Sequence, residues 1–132
     1  MIGGGAAGLM CAITAAERGN RVLLFERQAR VGRKLMATGN GRCNITNLYA
    51  SPERYHGAPE EFLRPALEAF TPEDTLRFFE EAGLVTAADP SGRVYPFSDQ
   101  AGSVVDILRF RAEALGAELI TGAEVGEIRR KN

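Results

Sequence analysis

Hydrophobic residues recur along this chain at two periods. Over residues 5–18, Leu9, Ala12, Ile13 and Ala16 fall at i, i+3, i+4 and i+7, one stripe of an amphipathic helix, with Thr14, Glu17 and Arg18 off it. Gly19 stands where a left-handed residue ends such a helix. Residues 21–26 then read as a strand. Val22, Leu23, Leu24 and Phe25 are continuously apolar, the pattern of a strand covered on both faces of a parallel sheet. Residues 27–58 lose all periodicity and are rich in Gly, Arg, Asn and Thr, which predicts a long binding loop with a short helical turn near 34–38.

Periodicity returns with Phe62, Leu63, Ala66, Leu67 and Phe70, a helix that Pro65 should break or kink. A second helix is better marked: Thr71 is an N-cap candidate, Pro72 suits the first helical position, and Glu73 and Asp74 suit the positive end. Leu76, Phe79 and Ala82 form its face and Gly83 ends it. Residues 89–92 read as a turn between strands 84–87 and 93–97. A helix over 99–115 puts Ala101, Val104, Val105, Leu108, Ala112 and Leu115 on one side, and Gly116 ends it. Strands are predicted at 118–121 and 124–129. Strands alternating with helices imply an α/β fold with a parallel sheet. The segments are 1–26 (turn, helix, strand), 27–58 (binding loop), 59–115 (helical insertion with a small hairpin) and 116–132 (further strands).

Composition narrows the function classes. The 132 residues fit one domain, and 45% apolar with 25% charged residues is ordinary for a globular chain. A net charge of −1 lacks the strong positive field of a nucleic-acid binder, so a small-molecule substrate is expected and a nucleic acid is not. Fourteen arginines against two lysines make any single Arg weak evidence for a site. Cys11, Cys43 and His56 are too few and too scattered for a zinc site, and no metal is expected. Met1 leads straight into glycines without a signal-peptide pattern, and the longest apolar run is far short of the ~20 residues that span a bilayer. A cytoplasmic protein without a membrane partner is expected; nothing speaks to oligomeric state.

Gly3-Gly4-Gly5-Ala6-Ala7-Gly8 matches G-x-G-x-x-G, a weak pattern by itself in a chain with 15 glycines. Context strengthens it, because the motif opens a helix, a buried-type strand follows, and Glu26 closes that strand. In the dinucleotide fingerprint the first Gly makes the tight turn and the second admits the pyrophosphate. The third lets helix and strand pack, while an acid about 20 residues on accepts hydrogen bonds from the ribose. Gly3, Gly5, Ala6, Ala7 and Gly8 are therefore candidate phosphate contacts, through free N–H groups at the positive helix end, and Glu26 the candidate ribose ligand. No G-K-[ST] follows, which excludes a Walker A loop. NAD and FAD share the fingerprint, so it does not choose between them.

Residues 32–47 bear on that choice: Gly32-Arg33-Lys34, then Thr38-Gly39-Asn40-Gly41-Arg42-Cys43-Asn44-Ile45-Thr46-Asn47. The run G-x-G-R-C-N-x-T-N resembles a bacterial family of FAD-dependent oxidoreductases, the YhiN/BaiN-like or aminoacetone oxidase family. Gly92-Arg93-Val94-Tyr95-Pro96-Phe97-Ser98, with Ala101 beyond it, resembles a second stretch of that family. The resemblance implies a Rossmann-type FAD-binding domain, completed by further domains, with FAD as cofactor and NAD(P)H as a candidate transient reductant. It places Gly39, Asn40, Gly41, Arg42, Cys43 and Asn44 beside the phosphates and the flavin ring. Arg27, Arg33, Lys34 and Arg42 would offset the pyrophosphate charge, and Val125 would meet adenine through its backbone. Two glycines permit close approach and positive φ, and successive N–H groups could form an anion nest. Bland rivals stand beside these: solvated Arg33 and Lys34, Asn44 and Thr46 that only shape the loop, and Cys43 as a small packed residue.

The sequence departs from the family at its start, where only Met1 and Ile2 precede the glycines. Four missing apolar side chains, at roughly 1.5–3 kcal/mol each, rival a domain's whole stability of ~5–15 kcal/mol. The expectation is an incomplete domain, its first strand truncated and later domains absent, with catalytic residues beyond Asn132. Alternatives are an NAD-dependent dehydrogenase domain, a non-catalytic nucleotide-binding module, and a tRNA-modifying flavoenzyme. On this reading the isolated 132 residues bind FAD poorly and purify colourless; material carrying stoichiometric yellow flavin by absorption would contradict it.

Overall fold

The computed structural model describes residues 1–57 and 59–130; Ala58, at the end of the expected binding loop, and Lys131 and Asn132, at the end of the expected strand-bearing segment, lie outside the described residues. Five helices and five strands follow in chain order among them: α1 (Ala6–Glu17), β1 (Leu23–Glu26), α2 (Arg33–Ala37), β2 (Thr46–Asn47), α3 (Glu60–Ala69), α4 (Pro72–Glu81), β3 (Thr86–Ala88), β4 (Arg93–Pro96), α5 (Ala101–Ala114) and β5 (Glu118–Thr121). β1 and β5 pair in parallel, Leu24 opposite Leu119 and Glu26 opposite Thr121. Ile2 bridges in parallel to Phe25. The Phe25 N–H donates to the Met1 carbonyl at 3.0 Å and the Gly3 N–H to the Phe25 carbonyl at 2.8 Å. The short start of the chain thus occupies a first-strand position beside β1, with β5 on the other side.

The α1 stripe works as its spacing requires. Leu9, Ala12 and Ile13 are fully buried and share one core with Leu24 of β1 and Val104, Leu108 and Ala112 of α5. Gly19 adopts φ 75°, and the Gly19 and Asn20 amides close back on Ala16 and Ala15, a Schellman end. The both-face burial expected of 21–26 is not met. Val22 and Leu24 are buried, but Leu23 and Phe25 on the opposite face stay half-exposed. Among the described residues both helices that pack on the sheet core, α1 and α5, serve the Leu24 side.

Three further expectations are corrected, at Pro65, at 124–129 and at Leu115. The 27–58 stretch carries the expected short helix as α2, together with two short 3-10 turns and β2. Pro65 does not break α3, which runs unbroken through it. The proline costs one main-chain bond, but α3 buries no residue, so water can satisfy the carbonyl left over. Residues 124–129 form no strand; Ile128 is 79% exposed, and the ladder beside β1 ends where the Ala123 N–H reaches the Glu26 carbonyl. Leu115 is also outside the α5 face, lying past the last turn.

A smaller antiparallel sheet, ordered β2-β4-β3, holds the expected hairpin. Its turn is fastened by Asp89, which accepts from the Ser91 hydroxyl and amide and from the Arg93 amide and guanidinium. Those bonds, the Ser91 hydroxyl foremost, draw the Asp89 carboxyl down to about 2. α4 is closed by a full capping box: Thr71 Oγ1 accepts from the Asp74 N–H, and Asp74 accepts from the Thr71 N–H. Thr71→Ala should cost about 1 kcal/mol, read as a thermal midpoint lower by a few degrees, whereas Thr71→Ser should stay close to the parent.

Candidate nucleotide-binding site

The glycine turn is built by contacts that side chains would forbid. Gly3 adopts φ 93°, outside the range most residues tolerate. A Cβ on Gly8 would lie 1.9 Å from the Gly3 carbonyl oxygen, so α1 can rest on the turn only through a glycine. A Cβ on Gly4 would meet Val31 Cγ1 at 2.7 Å. A Cβ on Gly5 meets nothing within 4 Å: the space beside it is open.

α1 starts there without a side-chain cap and with no acid in its first turn. Leu9 is the first to donate back, to the Gly5 carbonyl at 3.0 Å, so the helix makes no use of the amides of Ala6, Ala7 and Gly8. Ala6 and Ala7 are exposed. Unspent amides at the positive end of a helix, beside open space and free of acidic neighbours, are a place where an anion gains.

Glu26 sits at the edge of this turn. Its Oε2 accepts from the Gly4 N–H at 2.7 Å and its Oε1 from the Gln28 N–H at 2.8 Å. The Gln28 amide first, then that of Gly4, holds the carboxyl below the usual carboxylate range. An ionised carboxylate has about four lone-pair sites, so two remain for hydroxyl donors. The Gly32 N–H donates to the Gly4 carbonyl at 2.7 Å, which ties the start of the loop to the same turn. Gly32 itself has φ 73°, and a Cβ there would strike Val105 at 2.7 Å. Sequence reasoning gave Gly4, Gln28 and Gly32 no part in the site. The signal for two of them was present, as glycines inside the quoted motifs, but nothing in a one-dimensional pattern shows which neighbour a missing Cβ would strike.

The remaining expected residues fall in three places. Arg27, Arg33 and Lys34 are exposed, and Arg33 donates to Gln28 Oε1 at 2.7 Å. Residues 38–44 form a tight turn in which Gly39, Asn40, Gly41 and Cys43 all have left-handed φ, with Asn40, Gly41 and Asn44 exposed. Two of those four residues carry a Cβ, and a non-glycine in that region costs of order 1–3 kcal/mol. Arg42 has a different employment from the one expected. Its guanidinium lies over the Tyr95 ring, 4.2 Å from the centroid, and pairs with Asp99 at 3.7 Å. Cys43 is 2% exposed and belongs to the core, and burial pushes its thiol up. A ligand could meet it only through the main chain, and a raised thiol is not a ready nucleophile. Val125 lies on the irregular stretch after Ala123, partly exposed, two residues beyond the last bond to β1.

The residues fit a dinucleotide at the level of donor chemistry: open amides for a diphosphate and a fixed carboxylate for a ribose. One concavity is separate. It is a cleft of about 770 Å³ between the 28–36 segment, α5 and β5, lined by Gln28, Val31, Arg33, Val105, Arg109 and Leu119, and none of the glycine-turn residues borders it. Among the described residues, no group of three or more His, Cys, Asp or Glu is placed to hold a metal, and no helix is long and apolar enough to cross a membrane.

Comparisons agree with this geometry. The model of the "HI0933-like protein Rossmann domain" matches residues 1–132. A "3-dehydro-bile acid delta(4,6)-reductase" of Clostridium scindens is 41% identical over 127 residues, 95% of this chain and 31% of that protein. A "Ribosomal RNA dihydrouridine synthase" of Haemophilus influenzae is 32% identical over 130 residues, 98% of this chain and 32% of that one. Its namesake in Escherichia coli is 37% identical over 108 residues, 82% of this chain and 27% of that one. The chain therefore spans about a third of the length of the curated relatives it matches. Among solved structures, that of Thermovibrio ammonificans THI4 superposes with a TM-score of 0.59 at 18% identity, over 91% of this chain and 36% of that one, which shows a shared fold.

Two substitutions separate packing from open space. Gly8→Ala should drive α1 off the turn and cost 1–3 kcal/mol or more, seen as a lower denaturant midpoint. Gly5→Ala, with no atom to strike, should leave that midpoint nearly unchanged.

Proposed function

The chain belongs to the HI0933-like Rossmann-domain family, and from that premise we propose that it is the FAD-binding portion of a flavin-dependent oxidoreductase. The observation that carries this reading is the Glu26 carboxylate, pinned by the Gly4 and Gln28 amides beside the open start of α1. FAD is the cofactor proposed, with the amides of Ala6, Ala7 and Gly8 and the main chain at Gly3 and Gly5 receiving the diphosphate. Glu26 would hold the adenosine ribose. Arg27, Arg33 and Lys34 would add positive charge, the exposed part of the 39–44 turn would approach the flavin, and the main chain near Val125 would approach adenine.

A bound flavin supplies the two-electron redox chemistry; the protein supplies binding, orientation and electrostatics. The chain's own contribution is prearrangement. Glu26 is charged and bonded before any ligand arrives, so little ordering remains to be done on binding. No triad or carboxylate pair here calls for side-chain chemistry, and residues that touch the substrate are proposed to belong to parts of the relatives that this chain does not span. NAD(P)H is proposed as a transient reductant, and the 132 residues alone are proposed not to turn over substrate.

The substrate class proposed is a small organic molecule. The reductase of Clostridium scindens supports it by its name, and the chain's net charge of −1 is in keeping. A second reading, an RNA substrate, is favoured by the names of the two dihydrouridine synthases. Both readings need the same flavin site and differ in what meets it.

Titration by flavin fluorescence should detect FAD binding by the 132 residues, weak without the parts of the relatives that this chain does not span, with NAD⁺ competing poorly. Glu26→Ala should weaken FAD by about tenfold or more, the loss of charge-assisted bonds worth roughly 1.5–3 kcal/mol. Gly5→Ala should weaken it while remaining folded. Tight NAD⁺ binding with no response to FAD would support the dehydrogenase alternative instead.

A further inference from the structure

The 39–43 turn is held in a shape its own backbone disfavours. Asn40 and Cys43 carry side chains yet sit at φ 54° and 61°, between and beside two glycines in the same region. Such a run persists only where its surroundings over-determine it. From inside, the Cys43 side chain is buried, its N–H donates to the Thr38 carbonyl at 3.0 Å, and the Arg42 N–H donates to that of Gly39 at 3.2 Å. From outside there is one cation and one ring.

Tyr95 lies on β4, the central strand of the small sheet, and is 7% exposed. It is a rigid platform. The turn leans on it twice. A Cβ on Gly39 would come within 3.2 Å of Tyr95 Cε1 and 2.8 Å of the Asn44 nitrogen, so the backbone passes directly against the ring. The Arg42 guanidinium then covers the ring, 4.2 Å from its centroid, with its Nη1 3.7 Å from Asp99 Oδ1. Asp99 is itself in the left-handed region, at the entry to α5.

Resting on the flavin reading above, we propose that Arg42 is a positioning residue, whose guanidinium, laid over Tyr95 and paired with Asp99, locks the left-handed 39–43 turn into the shape it offers the cofactor. A cation already stacked and paired is poorly placed to serve as a phosphate ligand as well. The exposed Asn40, Gly41 and Asn44 form the presented surface, and Arg42 works one layer behind them. A lock of this kind needs a planar group. A lysine carries the same charge but cannot lie flat on the ring with several donors in a fork. Charge alone would be replaceable by Lys; a stacked brace would not.

The two cysteines report on the turn without any ligand. Cys11 is exposed and Cys43 buried, so a thiol reagent such as DTNB should find one fast and one slow thiol in the parent. In Arg42→Ala and in Arg42→Lys the slow thiol should react about tenfold faster, and FAD should bind about tenfold more weakly, while the far-UV spectrum is unchanged. Should Arg42→Ala fail to fold, Arg42→Lys and Asp99→Asn carry the test, since Asn tolerates the left-handed conformation. Asp99→Asn should raise the slow rate by a smaller factor. Parental Cys43 protection together with parental FAD affinity in Arg42→Lys would overturn the proposal, because charge would then be sufficient. A thiol response in the variants with no FAD binding by the parent even at the highest FAD concentrations, where weak binding is expected to show, would support the lock and overturn the flavin reading. Ordinary FAD binding with Cys43 protected in every variant would do the reverse.

Discussion

One carboxylate, held by two main-chain amides, joins the three parts of this fold that matter most. Glu26 ends β1, Gly4 belongs to the turn before α1, and Gln28 begins the stretch that leads to α2. An ionised oxygen accepting from an amide is about twice as strong as a neutral pair. Here both oxygens are so used, and those bonds hold the carboxyl below its ordinary value. Break those bonds and the Gly4 carbonyl loses its fixed position for the Gly32 amide, and Gly32 in turn its close seat against Val105 of α5. The acid that is proposed to hold a ribose therefore first holds the protein. Its conformation is set by folding, which is why a ligand would find it ready.

Much of this was legible because the relevant physics is local. Helix α1 follows from four spaced apolar residues and a terminal glycine, α4 from Thr71, Pro72 and Asp74, the hairpin from the 89–92 turn. That the sheet is parallel followed from alternation of strand and helix, and β1 and β5 pair in that sense. What was not legible depends on distant neighbours. No pattern shows that Arg42 finds Tyr95, 53 positions away, or that Cys43 turns inward. The failed strand at 124–129 has only Val125 and Ile128 as large apolar residues, three positions apart, and pairs with no strand among the described residues. Pro65 misled for the opposite reason: the rule against interior proline is strongest where the helix is buried, and α3 buries no residue.

The sheet shows where a sequence pattern outruns the structure. Val22 to Phe25 reads as buried on both faces, yet only the Leu24 side is covered by α1 and α5. Leu23, Phe25 and Ile120 share the other face and remain half-exposed, with Ile2 beside them 58% exposed. Continuous apolar runs record the environment in which a strand evolved. The curated relatives that this chain matches are about three times as long as it is.

Charge gives the same lesson at a smaller scale. The net value of −1 argues against a broad positive field, and most arginines are consumed in surface ion pairs such as Arg21 with Glu118, Arg77 with Asp74, Arg93 with Asp89, and Arg111 with Glu17. Arg27, Arg30, Arg33 and Lys34 form no ion pair with any carboxylate among the described residues. They follow Glu26 within eight positions with no acid between them. A chain close to neutral overall therefore gathers four uncompensated cations in one segment, tied by the Gly32 amide to the turn where the helix amides are open, while Arg18, Arg54 and Arg130 stand unpaired elsewhere among the described residues. Exposed cations at such spacing repel one another modestly and are screened by salt. A diphosphate held at the turn, as proposed above, would meet amides and cations together.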